Sequence, residues 1–238
     1  MRLLAFETAT EACSVAVWVD GAVHARHDVA PRRHAELALP WAEALLEEAG
    51  ITRSQLDAIA VGRGPGAFTG VRLAVALAQG IALALDRPVV PVSTLAVLAM
   101  RGMPAGAPAH GVLAAIDARM GEVYAAAFDW TGDELHPRGA EVLGAPSTLV
   151  IPGLADAPAP LRAVGTGLAA VDGALRARLP AGIKADASAL PHAADLAGLA
   201  AAAYARGESV PAERLEPAYL RNAVALTLAE QQAARAER

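Results

Sequence analysis

A single cysteine, Cys13, stands among 238 residues, which excludes an intrachain disulfide and makes a reducing compartment the natural setting. Lysine is almost as scarce, with Lys184 alone against a background of arginine, and aromatic residues make up only 4% of the chain. The net charge is −5 at pH 7, and the arginines near the C-terminus are scattered rather than clustered. The chain therefore lacks the basic face by which a protein holds nucleic acid unaided, and any role on RNA is expected to be shared with another subunit. The opening residues, Met1 to Glu7, read as a strand that starts at once and not as the apolar stretch of a signal peptide. No segment reads as apolar and charge-free for long enough to cross a bilayer, residues 73–85 coming nearest. A cytoplasmic protein is expected.

Alanine fills the space left by these absences, at about a quarter of the chain. It favours helix but buries little area per residue, so the 55% hydrophobic content overstates the core. The length suits one large domain or two small ones.

Strand-like runs occupy about 2–7, 12–19 and 22–29, the last two joined by the hairpin pair Asp20-Gly21. A helix follows over 34–49, stopped by Gly50, then a strand at 57–62, a glycine-rich loop, a helix at 69–85 and a strand at 88–92. Ser93 is placed to cap the next helix. A hairpin meander extended by crossover helices gives a mixed five-stranded sheet, the topology of one lobe of the actin, sugar-kinase and Hsp70 superfold (ribonuclease H-like). The α/β fold expected is two compact lobes, each a mixed sheet flanked by helices. Gly and Pro concentrated at 101–110 set the boundary, giving lobes at 1–100 and 101–216. The second lobe holds strands at 111–117, 121–129 and 161–165 and a helix at 193–206. A last helix, about 217–236, is expected to pack back on the first lobe.

The loop Gly62-Arg63-Gly64-Pro65-Gly66-Ala67-Phe68-Thr69-Gly70 joins a strand to a helix, where backbone N–H groups can converge on an anion. It is not a Walker A loop, because Val71-Arg72 stand where that motif needs Lys and Ser or Thr. The alternative is a rigid turn whose glycines permit close packing. Cys13, inside an apolar strand, reads as a buried structural thiol. Neither His24 and His27, three apart in a strand, nor His34, with Ala38 four residues on, makes a metal pair. No metal site and no catalytic residue is expected.

The helix at 69–85 has one narrow polar stripe, Arg72 and Gln79, and is apolar elsewhere. Ala76, Gly80 and Ala84 repeat every four residues, which lets another helix come close. The helix before it carries a ridge of Leu37, Trp41 and Leu45. Two neighbouring helices with apolar surface to spare predict an interface including Leu37, Trp41, Leu45, Arg72, Val75, Ala76, Gln79 and Gly80.

Four motifs in order resemble the TsaB (YeaZ) family, paralogous to TsaD: Glu7 to Ala16, Gly62 to Arg72, Asp117 to Tyr124, and Pro217-Ala218-Tyr219-Leu220-Arg221-Asn222. They span nearly the whole chain. The resemblance implies the superfold above and a non-catalytic subunit that pairs with TsaD. Through it the subunit would support threonylcarbamoyl transfer to adenosine 37 of tRNAs reading codons that begin with A. TsaE would be a third subunit, tRNA would be met through the complex, and a homodimer would form when TsaD is absent. ATP and a divalent metal would belong to the partners, with no cofactor held by this chain. Glu7, Thr8, Thr10 and Ser14 occupy the place that binds phosphate in ATP-using members of the superfold, a degenerate remnant here. Arg119 and Met120 are expected to crowd the matching turn of the second lobe, with Arg119 and Glu122 bridged at the hairpin end. An autonomous ATP-dependent small-molecule kinase is the alternative.

Overall fold

The computed structural model describes residues 1–102, 110–131 and 134–221. The chain opens with strands β1 (Arg2–Glu7), β2 (Ala12–Val19) and β3 (Ala22–Val29), then helix α1 (His34–Glu48), β4 (Ala58–Gly62), helix α2 (Phe68–Leu85), β5 (Val89–Val92) and helix α3 (Thr94–Ala99). Asp20 and Gly21 both take positive φ, the backbone that a two-residue hairpin with right-handed strand twist demands. Helix α1 ends where predicted, with Gly50 at positive φ and the Ile51 N–H reaching back to the Leu46 carbonyl. The Ser93 hydroxyl accepts from the N–H groups of Leu95 and Ala96 and so caps α3.

The first sheet has the order β3-β2-β1-β4-β5, antiparallel across the hairpins and parallel from β1 through β4 to β5. Its middle strands are buried on both faces, and period-two alternation sorts their side chains by size. Leu4, Phe6, Val15, Val17, Ile59 and Val61 face α1 and α2. Leu3 and the small residues Ala5, Ala16, Ala58 and Ala60 face the other way.

The second sheet is built from β6 (His110–Arg119), β7 (Glu122–Thr131), β8 (Glu134–Pro137), β9 (Val142–Gly144), β10 (Leu161–Val164) and β11 (Lys184–Asp186), with a four-residue turn of helix, α4 (Ala170–Gly173), before β11. Its order is β11-β10-β6-β7-β8, and β9 also pairs with β7. Helix α5 (Ala193–Ala205) follows. Two mixed sheets flanked by helices form the α/β superfold expected from the strand order.

Two expectations are corrected. The sequence order puts the helix at 193–206 in the second lobe, but α5 returns to the first sheet and lies on its small-residue face. There Leu196, Ala197 and Ala200 pack on Leu3, Ala5 and Ala60. An alanine-rich helix has no long side chains to hold it away, so it fits where the sheet also presents alanine. Ala212 and Leu215, just beyond, join the core on the opposite face. The second correction concerns α2, whose full 18 residues are long and apolar enough, by length and composition, to cross a membrane. Here α2 lies against the first sheet, with Val71, Ala74, Val75, Ala78 and Ala82 in its core. The predicted helix beyond residue 221, and most of the expected boundary at 101–110, lie outside the described residues.

Candidate functional site

A cleft of about 990 Å³ opens between the two sheets, and all four sequence motifs meet in its wall. Ala9, Thr10 and Glu11 come from the turn after β1, and Gly66 to Leu73 from the glycine loop and the start of α2. Across from them stand Ile116 to Arg119 and Tyr124 of the β6–β7 hairpin, and Ala218 to Arg221 close the side. Segments more than 200 residues apart at their extremes thus form one surface.

The glycine loop is a packing device. A Cβ added at Gly62 would come closer than 3.0 Å to the Glu7 carboxylate, one at Gly66 to the Ala9 carbonyl, and one at Gly70 to the Thr8 carbonyl. All three glycines therefore let one turn, Glu7-Thr8-Ala9, sit directly on the loop. Three of its donors are engaged as well: the N–H of Arg63 bonds the Val92 carbonyl, that of Gly64 the Thr94 hydroxyl, and that of Ala67 the Ala9 carbonyl. These close contacts are what the rigid-turn reading of the loop requires.

The supposed phosphate remnant is equally occupied. Thr8 donates to the Gly70 carbonyl at 2.7 Å. Ser14 donates to the Arg26 carbonyl and accepts from the Ala193 N–H, fastening the start of α5 to the sheet. Glu7 accepts from the Ala9 N–H at 2.8 Å and the Thr94 hydroxyl at 3.1 Å, and burial raises its carboxyl to about 7. Thr10, which accepts from the Ala12 N–H, is the only one of the four in the cleft wall. Glu7, Thr8 and Ser14 are thus bonded within the protein, and of the four Thr10 alone faces the cleft.

On the opposite wall Arg119 and Met120 take positive φ; Arg119 lines the cleft, while Met120 is exposed and does not line it. The expected Arg119–Glu122 bridge is not formed. Arg119 pairs with Asp117 at 3.0 Å, and Glu122 pairs with Arg221 at 2.5 Å. Cys13 is buried, which raises its thiol to about 11, as a structural thiol requires. The His34 ring lies 3.0 Å from the Thr10 carbonyl and 3.2 Å from that of Ala12, anchoring the start of α1. His27 stacks on His192. Among the described residues no group of three or more His, Cys, Asp or Glu is placed to hold a metal ion.

Residues 28–229 match the family model described as TsaD, tRNA N6-adenosine threonylcarbamoyltransferase. The tRNA threonylcarbamoyladenosine biosynthesis protein TsaB of Escherichia coli (strain K12) is 39% identical over 240 residues, which cover 94% of this chain and 96% of that one. The chain belongs to the TsaB family. The structure of YeaZ from Pseudomonas aeruginosa is similar to it with a TM-score of 0.82 and 46% identity, over 92% of this chain and 99% of that one. A tRNA N6-adenosine threonylcarbamoyltransferase of Magnetococcus marinus is 44% identical over 81 residues, 32% of this chain and 23% of that one.

In this TsaB-family chain the eight residues expected at an interface separate into groups. Leu45 and Val75 are buried in the chain's own core, and Leu37 and Trp41 are half-buried against it. Gln79 donates to the carbonyls of Ala212 and Leu215, holding the chain's own later segment. Arg72, Ala76 and Gly80 are exposed. Helix α2 is flanked by both the sheet and residues 210–215, so one chain buries two of its faces, and that second covering element is not visible in a helical projection. What stays open is a smooth stripe of Ala76, Gly80, Ala84 and Leu83, the last 64% exposed, headed by Arg72 and Phe68. Phe68 and Leu83 are exposed apolar residues absent from the expected interface, and Leu39 on α1 is exposed as well. The spacing of Leu83 from Ala76 and Gly80, seven and three residues, is the signal that would have added it.

Proposed function

We propose that this chain is the non-catalytic subunit that pairs with TsaD and activates it for threonylcarbamoyl transfer to adenosine 37 of tRNAs reading codons that begin with A. Membership of the TsaB family carries the coarser statement: the chain takes part in tRNA threonylcarbamoyladenosine biosynthesis.

The observation that carries the pairing is the open apolar stripe on α2. Small side chains at four-residue spacing allow a partner helix to approach closely, and Phe68 and Leu83 supply area to bury. The accessory role is supported by the phosphate-binding positions, whose polar groups hold the protein's own backbone. ATP and a divalent metal then belong to partner subunits, with TsaE as the third member. The chain meets tRNA through the complex, in the cytoplasm, and forms a homodimer through the same stripe when TsaD is absent.

The test is threonylcarbamoyl transfer to tRNA by TsaD, TsaE, a TsaC-type enzyme, threonine, bicarbonate and ATP, with and without this chain. Product that depends on its addition supports the proposal. Equal product without it, together with ATP turnover by the isolated chain, would replace the proposal with an autonomous kinase.

A further inference from the structure

Five residues, Pro217 to Arg221, run across the mouth of the cleft and touch both lobes. On the first-lobe side the Ala218 N–H donates to the Arg63 carbonyl at 2.8 Å. The Tyr219 hydroxyl accepts from Arg72 Nε at 2.7 Å, with the Arg72 guanidinium 3.7 Å above the Phe68 ring. On the second-lobe side Arg221 alone makes the strap's hydrogen bonds, among the described residues. Its guanidinium donates to Glu122 Oε2 at 2.5 Å and to the Ala118 carbonyl at 3.3 Å, and lies 3.0 Å from Met120 Sδ.

We infer that this strap is a clasp between the lobes, fixed to the first and released from the second through the Arg221–Glu122 pair. The two ends differ in kind. The first-lobe end includes a backbone bond and a stacked guanidinium, while the second-lobe end rests on one side chain. The side chains of Arg221 and Glu122 are 21% and 36% exposed, so water and salt reach the pair and it can open without unfolding either sheet. The charges around it are Arg119 and Asp117, which pair with each other and leave Glu122 to Arg221. Elsewhere the lobes stay joined: Thr94, at the start of α3, bonds Glu7 and Gly64 of the first lobe, while Leu95 and Leu98 pack with Val112, Ala114 and Ile116 of the second. Glu141 is also bonded to Ser93 and lies 3.8 Å from Arg63. Releasing Arg221 leaves α3 as the hinge about which the cleft widens. The inference does not depend on what docks on α2.

The clasp is tested on the full chain with spin labels at Glu47→Cys and Ala177→Cys, exposed positions in the first and second lobes. Buried Cys13 stays unlabelled. The unmodified clasp should give one narrow distance distribution. Arg221→Ala and Glu122→Gln should each at least double its width, as should about 1 M salt, where the screening length falls to roughly 3 Å. The exchange Arg221→Glu with Glu122→Arg should restore the narrow distribution, which a general loss of packing would not do. A distribution that stays narrow in Glu122→Gln and at high salt overturns the inference, whether or not Arg221→Ala folds.

Discussion

The carboxylate of Glu7 lies directly on the α-carbon of Gly62, in space that any other residue at 62 would fill. Both are buried at the adjoining ends of β1 and β4, where the first sheet meets the cleft loops. Neither can move without disturbing the Ala9 and Thr94 hydrogen bonds. Gly62→Ala should therefore cost roughly 2–4 kcal/mol, the range for overpacking combined with a broken buried hydrogen-bond set. Urea unfolding measures this, and an unchanged midpoint would contradict the geometry.

The same carboxyl makes stability fall as pH rises. Burial lifts Glu7 from 4.5 to about 7 in the folded chain, so folding favours its protonated form. Its contribution is complete below pH 4.5 and is lost as pH climbs through 7. A tenfold change in proton affinity is worth about 1.4 kcal/mol, so the loss is on the order of 3 kcal/mol. Glu7→Gln keeps the shape without the titration. The difference in unfolding free energy between Gln and Glu should grow from about pH 4.5 to about 8; a constant difference would mean that Glu7 is not protonated on folding.

At the start of α5 the dependence runs the other way. His192 caps the helix by accepting the Ala194 N–H on Nδ1, and its ring lies 4.7 Å from that of His27 at an angle of 9°. Burial, then His27 and Arg101, lowers His192 from 6.5 to about 4. Burial and Arg101 also lower His27, against the pull of Asp28. These groups favour folding while neutral, so their contribution is present above pH 6.5 and is lost as pH falls toward 4. For a half-exposed ring, solvent screening brings the loss to about 1–2 kcal/mol. Amide exchange in α5, corrected for the intrinsic effect of pH, should quicken at about pH 5 relative to about pH 8. His192→Asn, which caps without titrating, should remove most of that change.

Ala76 and Gly80 separate association from folding. Ala76→Glu leaves an exposed monomer surface intact but places a charge on the open stripe, and should weaken pairing by about 100-fold or more. Gly80 has no neighbour within 4 Å of where a Cβ would stand. Gly80→Ala should thus stabilise the monomer by up to about 1 kcal/mol, through helix propensity, while weakening any close helix pairing. Thermal melts and sedimentation read the two effects separately; tight pairing in both variants would move the interface elsewhere.

Much of this architecture was legible in the residues. Strand-like apolar runs placed β1 to β7 and β10 within a residue or two, bounded by the turn and cap signals at Asp20-Gly21, Gly50 and Ser93. The short strands β8, β9 and β11 carry too few residues to show a period. The site was legible as motifs but not as roles. That Glu7, Thr8 and Ser14 serve the backbone depends on Gly62, Gly70 and Ala193, residues far away in sequence. Leu45 and Val75 turn out to be core and Gln79 to hold the chain's own later segment, because a helical projection shows how much surface is apolar and not which part the same chain covers.

The return of α5 to the first sheet sets an order of assembly. Residues 2–92 supply all five strands of that sheet, yet the covering for Leu3, Ala5, Ala60 and Val90 arrives only with Leu196 and its neighbours, about a hundred residues later. A ribosome making this chain releases a sheet with one wet apolar face and must emit the whole second lobe before the cover emerges. The two lobes are therefore not successive products of translation. The first to begin is the last to be finished, and it passes that interval as the part of the newborn chain most in need of a chaperone.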